Sequence, residues 1–540
     1  MHFFTEKEKE VIFWTWLTYI ILNKKQGENA MKFNHESQPI GLFEKIYEST
    51  AEQSLDADIN LPDYCPEIQR ILKCVVNANV CSVHNNSGRV TTDANAVVRL
   101  IYVGDNGKTA AFEQTYPLQK IVESNNITSD SAVSVRINTD YVNCRAVNPR
   151  RVDIRAMLTF VFKATKKRNE NVLCSVQGAG IQTLSKKHML ASLAGLCEKS
   201  FAMSEVIEIG ENKEPVSQII NVFAAANADD IKIISNKALV KGELTLKIHY
   251  FAEENGAVEC VEHSMPISQI LEIDGINEND ISCIRLTVSS CEAIPKADSS
   301  GEIRLIDLNA VVSAFMTVFE ESEINLISDA YSTEYDVKTA CKNIEALEFN
   351  DKIETSFTNK VILESIGVSV NNVVAAWCSD IKYGFSAKEN QCVINGTYQA
   401  TVIYKDSDNQ TGIIQKSVDF EYTHKLNYPA ERINCYGSVA LSACSCAVTG
   451  DSRLEMKTEI NISLLVLSCQ NKKYISSIEI LNENSKKDSA CALTVYFCDK
   501  NESVWNIAKK YNTTVEAIIN ENDLKTDCIE NGGMILIPSA

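Results

Sequence analysis

The sequence predicts a mostly β protein: three repeated β-rich domains with short helices, followed by a small βααβ module of α+β type. Three observations carry that expectation. One pattern recurs three times, a second pattern follows each recurrence, and after about residue 490 the apolar period changes from that of a strand to that of a helix. The first pattern is an alternating apolar run that ends at a tyrosine and enters a polar turn, at 89–108, 237–256 and 391–410. Tyr102, Tyr250 and Tyr404 align across the copies. The turns Gly104-Asp105-Asn106-Gly107, Glu253-Glu254-Asn255-Gly256 and Asp406-Ser407-Asp408-Asn409 make each copy a strand, a hairpin turn and a second strand. Gly242 and Gly396 share one position where the first copy has Ala94, so a left-handed backbone is not required there.

The second pattern is another hairpin. After YPLQKIVES, MPISQILEI and FEYTHKLNY, two period-2 runs flank a turn in every copy, and Arg304–Asn309 alternates apolar with polar as a half-buried strand does. Copies one and two also carry Pro-led segments, Pro66–Leu72 (PEIQRIL) and Pro215–Asn221 (PVSQIIN), which read as short helical turns because proline suits a first helical position. The third copy has Asn359–Ser365 (NKVILES) in that role, without the proline. The Ala/Leu/Lys-rich stretch GIQTLSKKHMLASLAGLCEKSF reads as a linking helix. The expected division is a segment over 1–30, β domains over 31–177, 204–340 and 341–488 with the linking helix at 178–203, and a last module over 489–540.

Composition narrows the function classes. The 540 residues carry 52 Lys+Arg against 71 Asp+Glu, a net charge of −19, which disfavours nucleic acid and anionic membranes as partners. The apolar run Val11–Leu22 is too short for a membrane-spanning helix, its leading segment is not cationic, and Met31 reads as an alternative start; the first thirty residues are expected to be an over-extension of the reading frame, with a peripheral membrane anchor or a partner helix as the alternatives. Nineteen scattered cysteines contain no CxxC pair, which points to small apolar side chains in a reducing compartment rather than to zinc or a disulfide framework. Cys444 and Cys446 fall on one face of a strand and read as core. Seven histidines show no metal-ligand spacing, and GxxxxGK[ST], HExxH and GxSxG are all missing. No catalytic residue, metal or cofactor is expected.

The carboxyl-terminal module opens with a strand at Leu493–Phe497. A first helix follows with Val504, Ile507, Ala508 and Tyr511 on one side, and a second is capped by Thr513 with Glu516 three residues on. Asn522-Asp523-Leu524 ends that helix, and Met534–Pro538 closes the module as a strand. The string ESVWNIAKKYNTTVEAIINENDL…GGMILIP resembles a LysM module over its full length, with Asn501-Glu502-Ser503-Val504 where the family usually has Gly-Asp-Thr-Leu. The resemblance implies a groove for N-acetylglucosamine polymers such as peptidoglycan or chitin. Asp499, Lys500, Asn501, Glu502 and Ser503 would face Ile519, Asn520, Asn522, Asp523 and Leu524 across it. Trp505 joins that set as an anchor if exposed, and otherwise packs on the helix. Some LysM modules bind protein instead, and this one is acidic.

With that module identified, LPDYCPEIQRIL, the hairpins and the P-I-S-Q-I-L-E block are similar to the SPOCS domain of endospore-forming bacteria. Three such domains and one LysM is the arrangement of the SipL/SpoVID-like family of coat morphogenetic proteins in Clostridia. The resemblance implies a non-catalytic adaptor in the mother-cell cytosol, localised to the forespore surface. It would tether the spore coat to stage IV sporulation protein A, a polymerising ATPase, through its LysM. A peptidoglycan-binding protein of cortex or wall is the alternative.

Overall fold

The computed structural model describes residues 34–86, 88–253, 257–363, 369–408, 410–449, 453–481, 492–529 and 532–539. The expected segment over 1–30, part of the second hairpin turn (254–256) and Asn409 of the third lie outside the described residues.

Three six-stranded units follow one another. The first contains β1 (Asn34–Asn60), β2 (Ile68–Asn86), β3 (Arg89–Gly104), β4 (Thr109–Glu123), β5 (Ala132–Asn148) and β6 (Arg151–Gln177). The second contains β7 (Ile181–Glu208), β8 (Val216–Ile234), β9 (Lys237–Ala252), β10 (Val258–Glu272), β11 (Ile281–Lys296) and β12 (Leu305–Ser332). The third contains β13 (Val337–Leu363), β14 (Val370–Lys388), β15 (Gln391–Asp406), β16 (Thr411–Lys425), β17 (Ile433–Thr449) and β18 (Arg453–Ile480). Each unit is an antiparallel sandwich of two three-stranded sheets, ordered β1-β6-β5 with β2-β3-β4 and likewise in the other two. The side chains of both sheets alternate into one apolar core per sandwich.

Two strands of every sandwich are too long for it. The outer halves of β1 and β6 pair from Asn34↔Gln177 inward, and β7 with β12 and β13 with β18 do the same. These three ribbons form a common stem. Its core takes Ile40, Val172, Leu190, Ile324, Leu326, Ile344, Ala346 and Tyr474, at least one from each of the six long strands. Burial of each large apolar side chain contributes about 1.5–3 kcal/mol. At the rim, the Glu170 carboxylate accepts from the Tyr474 hydroxyl at 3.0 Å and from Lys342 at 3.1 Å, joining the first ribbon to the third. Gly41 allows the first and second ribbons to touch, since a Cβ there would sit 2.1 Å from the Leu193 carbonyl oxygen.

The inner sheets meet at a second junction, built on Ile101, Ala111, Ile220, Phe251, Ala375, Trp377 and Ile403. The ends of the central strands are therefore buried on both faces, whereas their beginnings alternate. Tyr102, Tyr250 and Tyr404 sit at the same position of β3, β9 and β15. In the first two copies the hydroxyl donates at 3.1 Å to the carbonyl of Pro66 or Glu214, fixing the loop that enters the inner sheet.

Several local expectations are corrected. Residues 178–203 do not form a linking helix: after a turn at 178–180 they enter β7, which pairs with β12 along its whole length. Ala, Leu and Lys favour helix only weakly, and two-sided burial in the stem overrides that preference. PEIQRIL and PVSQIIN lead into β2 and β8 rather than forming helical turns, with Pro66 two residues and Pro215 one residue ahead of the ladder, outside the positions where an N–H is needed. Of the expected segment Asn359–Ser365, Asn359–Leu363 is the end of β13, one element earlier than its supposed counterparts, and 364–365 lie outside the described residues. At Gly242 and Gly396 the constraint is space: a Cβ would lie 2.1 Å from the Asn227 or Lys382 carbonyl oxygen of the adjacent bulged strand.

Candidate functional site

The carboxyl-terminal module pairs β19 (Leu493–Cys498) with β22 (Gly533–Pro538), and β20 (Glu502–Ser503) with β21 (Cys528–Ile529). Between them lie α1 (Val504–Tyr511) and α2 (Val515–Glu521). Val504, Ile507 and Ala508 of α1 meet Ile518 of α2 and Ile535 and Ile537 of β22 in a small core. Helix α1 stops at Asn512, whose left-handed backbone (φ 52°) suits asparagine. Thr514, not Thr513, caps α2: its hydroxyl accepts from the Ala517 N–H at 3.1 Å. Thr513 is fully buried one residue earlier.

The eleven expected groove residues divide by role. Asp499, Lys500, Asn501, Asn520 and Asp523 are exposed, and Ser503, Ile519 and Leu524 are half-buried. Asn501 and Asp523 take left-handed backbones, φ 64° and 49°. Glu502 folds back on its own loop, accepting from the Tyr496 hydroxyl at 2.9 Å and the Asp499 N–H at 3.0 Å. Asn522 replaces a missing strand partner. Its amide donates to the Leu536 carbonyl at 2.6 Å and its carbonyl accepts from the Leu536 N–H at 2.7 Å, while the amide also reaches Ile518 O at 2.9 Å. Among the described residues no hydrogen bond or ion pair joins loop 499–503 to loop 519–524.

Trp505 lies elsewhere. Only 8% exposed, it packs against the tip of the stem. Its indole N–H donates to the Asp329 carboxylate at 2.9 Å, its ring meets Tyr331 edge-on at 5.0 Å, and Lys509 contacts both Asp329 oxygens at 2.7 Å. The Tyr331 hydroxyl donates to the Thr513 carbonyl at 2.7 Å. Burial raises the Asp329 carboxyl, but the hydrogen bonds from Lys509 and Trp505 outweigh it and hold its pKa below the usual range. Burial pushes the Tyr331 phenol up to about 12. Sequence reasoning missed Asp329 and Tyr331. The available signal was a break in the repeat: near its end β12 carries Asp329-Ala330-Tyr331, where β6 has Ser175-Val176-Gln177 and β18 has Ser477-Ile478-Glu479.

The module's other surface is apolar. Leu493, Val495, Phe497 and Met534 are exposed, Phe497 by 75% and Met534 by 63%. Cross-strand pairing sets Phe497 opposite Met534, Val495 opposite Leu536 and Leu493 opposite Pro538 on one outer face.

Elsewhere, several charged and titratable groups sit at the contacts between sandwiches. At the junction of inner sheets, Lys73 stands 5.4 Å from the Trp377 ring centre and donates to the Thr401 hydroxyl at 3.1 Å; burial lowers its pKa to about 8. His249 packs 6.3 Å from the same ring, and burial first, then Lys247, lower its pKa to about 4. Its Nδ1 has no partner. His263 lies within β10, 3.2 Å from Glu205. A cavity of about 480 Å³ between the second and third sandwiches is lined by Lys213, Lys247, His249, Cys260, Glu262 and Cys444, among others. There Lys247 pairs with Glu262 at 2.8 Å and Lys213 donates to the Cys260 carbonyl. Among the described residues no three His, Cys, Asp or Glu side chains are placed to hold a metal ion, and no helix is long and apolar enough to cross a membrane.

Comparison with known families agrees with this architecture. Residues 215–295 match the profile described as SipL, SPOCS domain, and residues 499–538 match the LysM domain. No curated protein and no solved structure matches the chain. The SPOCS match spans β8 to β11 and leaves out the long strands β7 and β12. The chain thus carries a sporulation-type SPOCS domain of the SipL kind and a carboxyl-terminal LysM domain, both of them binding modules.

Proposed function

We propose that this chain is a non-catalytic spore coat morphogenetic adaptor. It sits on the forespore surface in the mother-cell cytosol and docks the coat to the layer of stage IV sporulation protein A, the coat ATPase, through its LysM module. The observation that carries this reading is the outer face of the LysM sheet, where Leu493, Val495, Phe497 and Met534 present an apolar patch. Roughly 300–600 Å² of contiguous apolar surface marks a contact site on many proteins, and these residues supply area of that order. The face opposite the stem-binding helix is thus available to a partner while the module's orientation is held by Asp329 and Tyr331.

A second reading, recognition of N-acetylglucosamine polymers of peptidoglycan, is favoured by the LysM match and by the exposed polar loops at Asp499–Asn501 and Asn520–Asp523. One experiment separates the two. Full-length protein is titrated against the purified coat ATPase and, separately, sedimented with peptidoglycan sacculi. Phe497→Ser is expected to weaken ATPase binding at least tenfold without lowering the melting temperature, because the ring is already in solvent. Saturable sedimentation competed by N-acetylglucosamine oligomers, with no ATPase binding, would replace the adaptor by the glycan reading.

A further inference from the structure

The third sandwich closes at one edge without a ladder. Strands β14 and β17, from its two different sheets, face each other across a seam. Two thiols meet there. Cys444 Sγ lies 3.6 Å from the Ala376 carbonyl oxygen, on the strand that carries Cys378. Cys378 Sγ lies 3.3 Å from Thr458 Oγ1, and Thr458 is the cross-strand partner of Cys444 in the β17–β18 ladder. Both cysteines contribute to the apolar core of this sandwich, Cys378 fully buried and Cys444 at its margin.

The two sulfurs differ in surroundings. Cys444 lines the cavity between the second and third sandwiches, together with Lys247. A hydrogen bond from the Cys378 thiol, and then the Lys247 charge, hold Cys444 below the ordinary thiol range. The same contact and burial push Cys378 far up, so it keeps its proton. Cys444 lines the cavity and is the more readily ionised of the two, and Cys378 is a buried proton donor beside it. Reactive thiols combine low pKa, access and a nearby second cysteine.

We propose that Cys444 is a peroxide-reactive thiol and Cys378 its resolving partner, so that a hydroperoxide converts the pair into a disulfide that staples the β14–β17 seam. The Cys444 thiolate attacks one oxygen of hydrogen peroxide. An S–O bond forms, the O–O bond breaks, and the departing hydroxide takes up a proton as water. The Cys378 sulfur then attacks the sulfenic acid: an S–S bond forms, the S–O bond breaks, and the Cys378 proton leaves with the second water. Two thiols and one peroxide become one disulfide and two waters, the sulfurs losing the two electrons that the peroxide gains. Cys74 and Cys144 are neighbours across the corresponding β2–β5 seam, where the Thr139 hydroxyl donates to the Val76 carbonyl at 2.8 Å. They do not line this cavity, and they serve as an internal comparison.

The test uses the full-length reduced protein and graded hydrogen peroxide, followed by alkylation and non-reducing peptide mapping. The expected first product is a Cys378–Cys444 cross-link, formed before any Cys74–Cys144 link. In Cys378→Ser, dimedone should label Cys444 as the trapped sulfenic acid, and in Cys444→Ser no cross-link to Cys378 should form. Lys247→Met should slow the reaction at pH 7 roughly threefold or more, through the raised pKa of Cys444. The melting temperature of each variant before oxidation shows that it is folded. The proposal is overturned if Cys378 and Cys444 remain alkylatable while the exposed Cys81, Cys341 and Cys528 oxidise. It is equally overturned if Cys444 links to Cys260 or Cys446, which share its cavity.

Discussion

Removing the Asp329 carboxylate should release the LysM module from the stem. Asp329→Ala deletes one hydrogen bond to the indole of Trp505 and the ion pair to Lys509. The indole bond is to a nearly buried donor and its loss costs about 1–2 kcal/mol. Lys509 and Asp329 retain 43% and 33% side-chain exposure, so solvent screening limits the ion pair to roughly 0.5–1 kcal/mol. Together about 2 kcal/mol is withdrawn from the contact, which raises the undocked population roughly thirtyfold. Asp329→Asn keeps an acceptor for the indole and should lose only the ionic part. Hydrogen exchange of α1 and the emission maximum of Trp505, measured with Trp14, Trp16 and Trp377 all replaced by Phe, report undocking as faster exchange and a red shift. The contact also has a pH dependence with a defined sign. Because the folded Asp329 pKa is depressed, its contribution is complete above the unfolded carboxylate value of about 4 and disappears as pH falls through the folded value. Unchanged exchange and emission in Asp329→Ala at pH 7 would refute the assignment of this carboxylate as the clamp.

Three further outcomes are expected. His249 occupies the place that Ile101 and Ile403 take in the other copies; its folded pKa of about 4 means the unfolded state binds the extra proton between about pH 6.5 and 4. Stability should therefore fall by up to about 3 kcal/mol across that window, and urea melts of His249→Ile should lose most of that slope. Asn522→Ala should unfold the LysM locally, by about 2–4 kcal/mol, because it orphans the Leu536 backbone groups; far-UV dichroism and exchange in β22 would show it, and a folded module would contradict the role. Gly396→Ala forces a Cβ onto the Lys382 carbonyl and should cost more than about 2 kcal/mol in denaturant melts, whereas Ala94→Gly, at the same position of the first copy, should cost about 1 kcal/mol.

Much of the fold was legible because period-2 alternation and hairpin turns are local. Tyr102, Tyr250 and Tyr404 marked equivalent strand ends, and the helix faces of Val504, Ile507 and Ala508 marked α1. What escaped was long-range. Nothing within GIQTLSKKHMLASLAGLCEKSF announces a strand, since its continuous burial arises only when three ribbons meet, and continuous burial erases alternation. The candidate site was legible as a set of loops but not as roles. Asn522 and Glu502 satisfy backbone within the module, and Trp505 turns toward Asp329, which lies 176 residues away in sequence. Motif spacing reports which residues share a loop; it does not report which neighbour from another domain arrives to cover them.

The stem changes what counts as a unit of this protein. Each sandwich lends two strands to a core that none of them can complete, so the three are expected to melt as one body in calorimetry rather than as beads on a thread. A fragment cut at 215–295, the span that the family profile recognises, would leave behind β7 and β12 and with them the second sandwich's share of that core. Dividing the chain there yields no smaller self-standing unit, only an arch without its keystone.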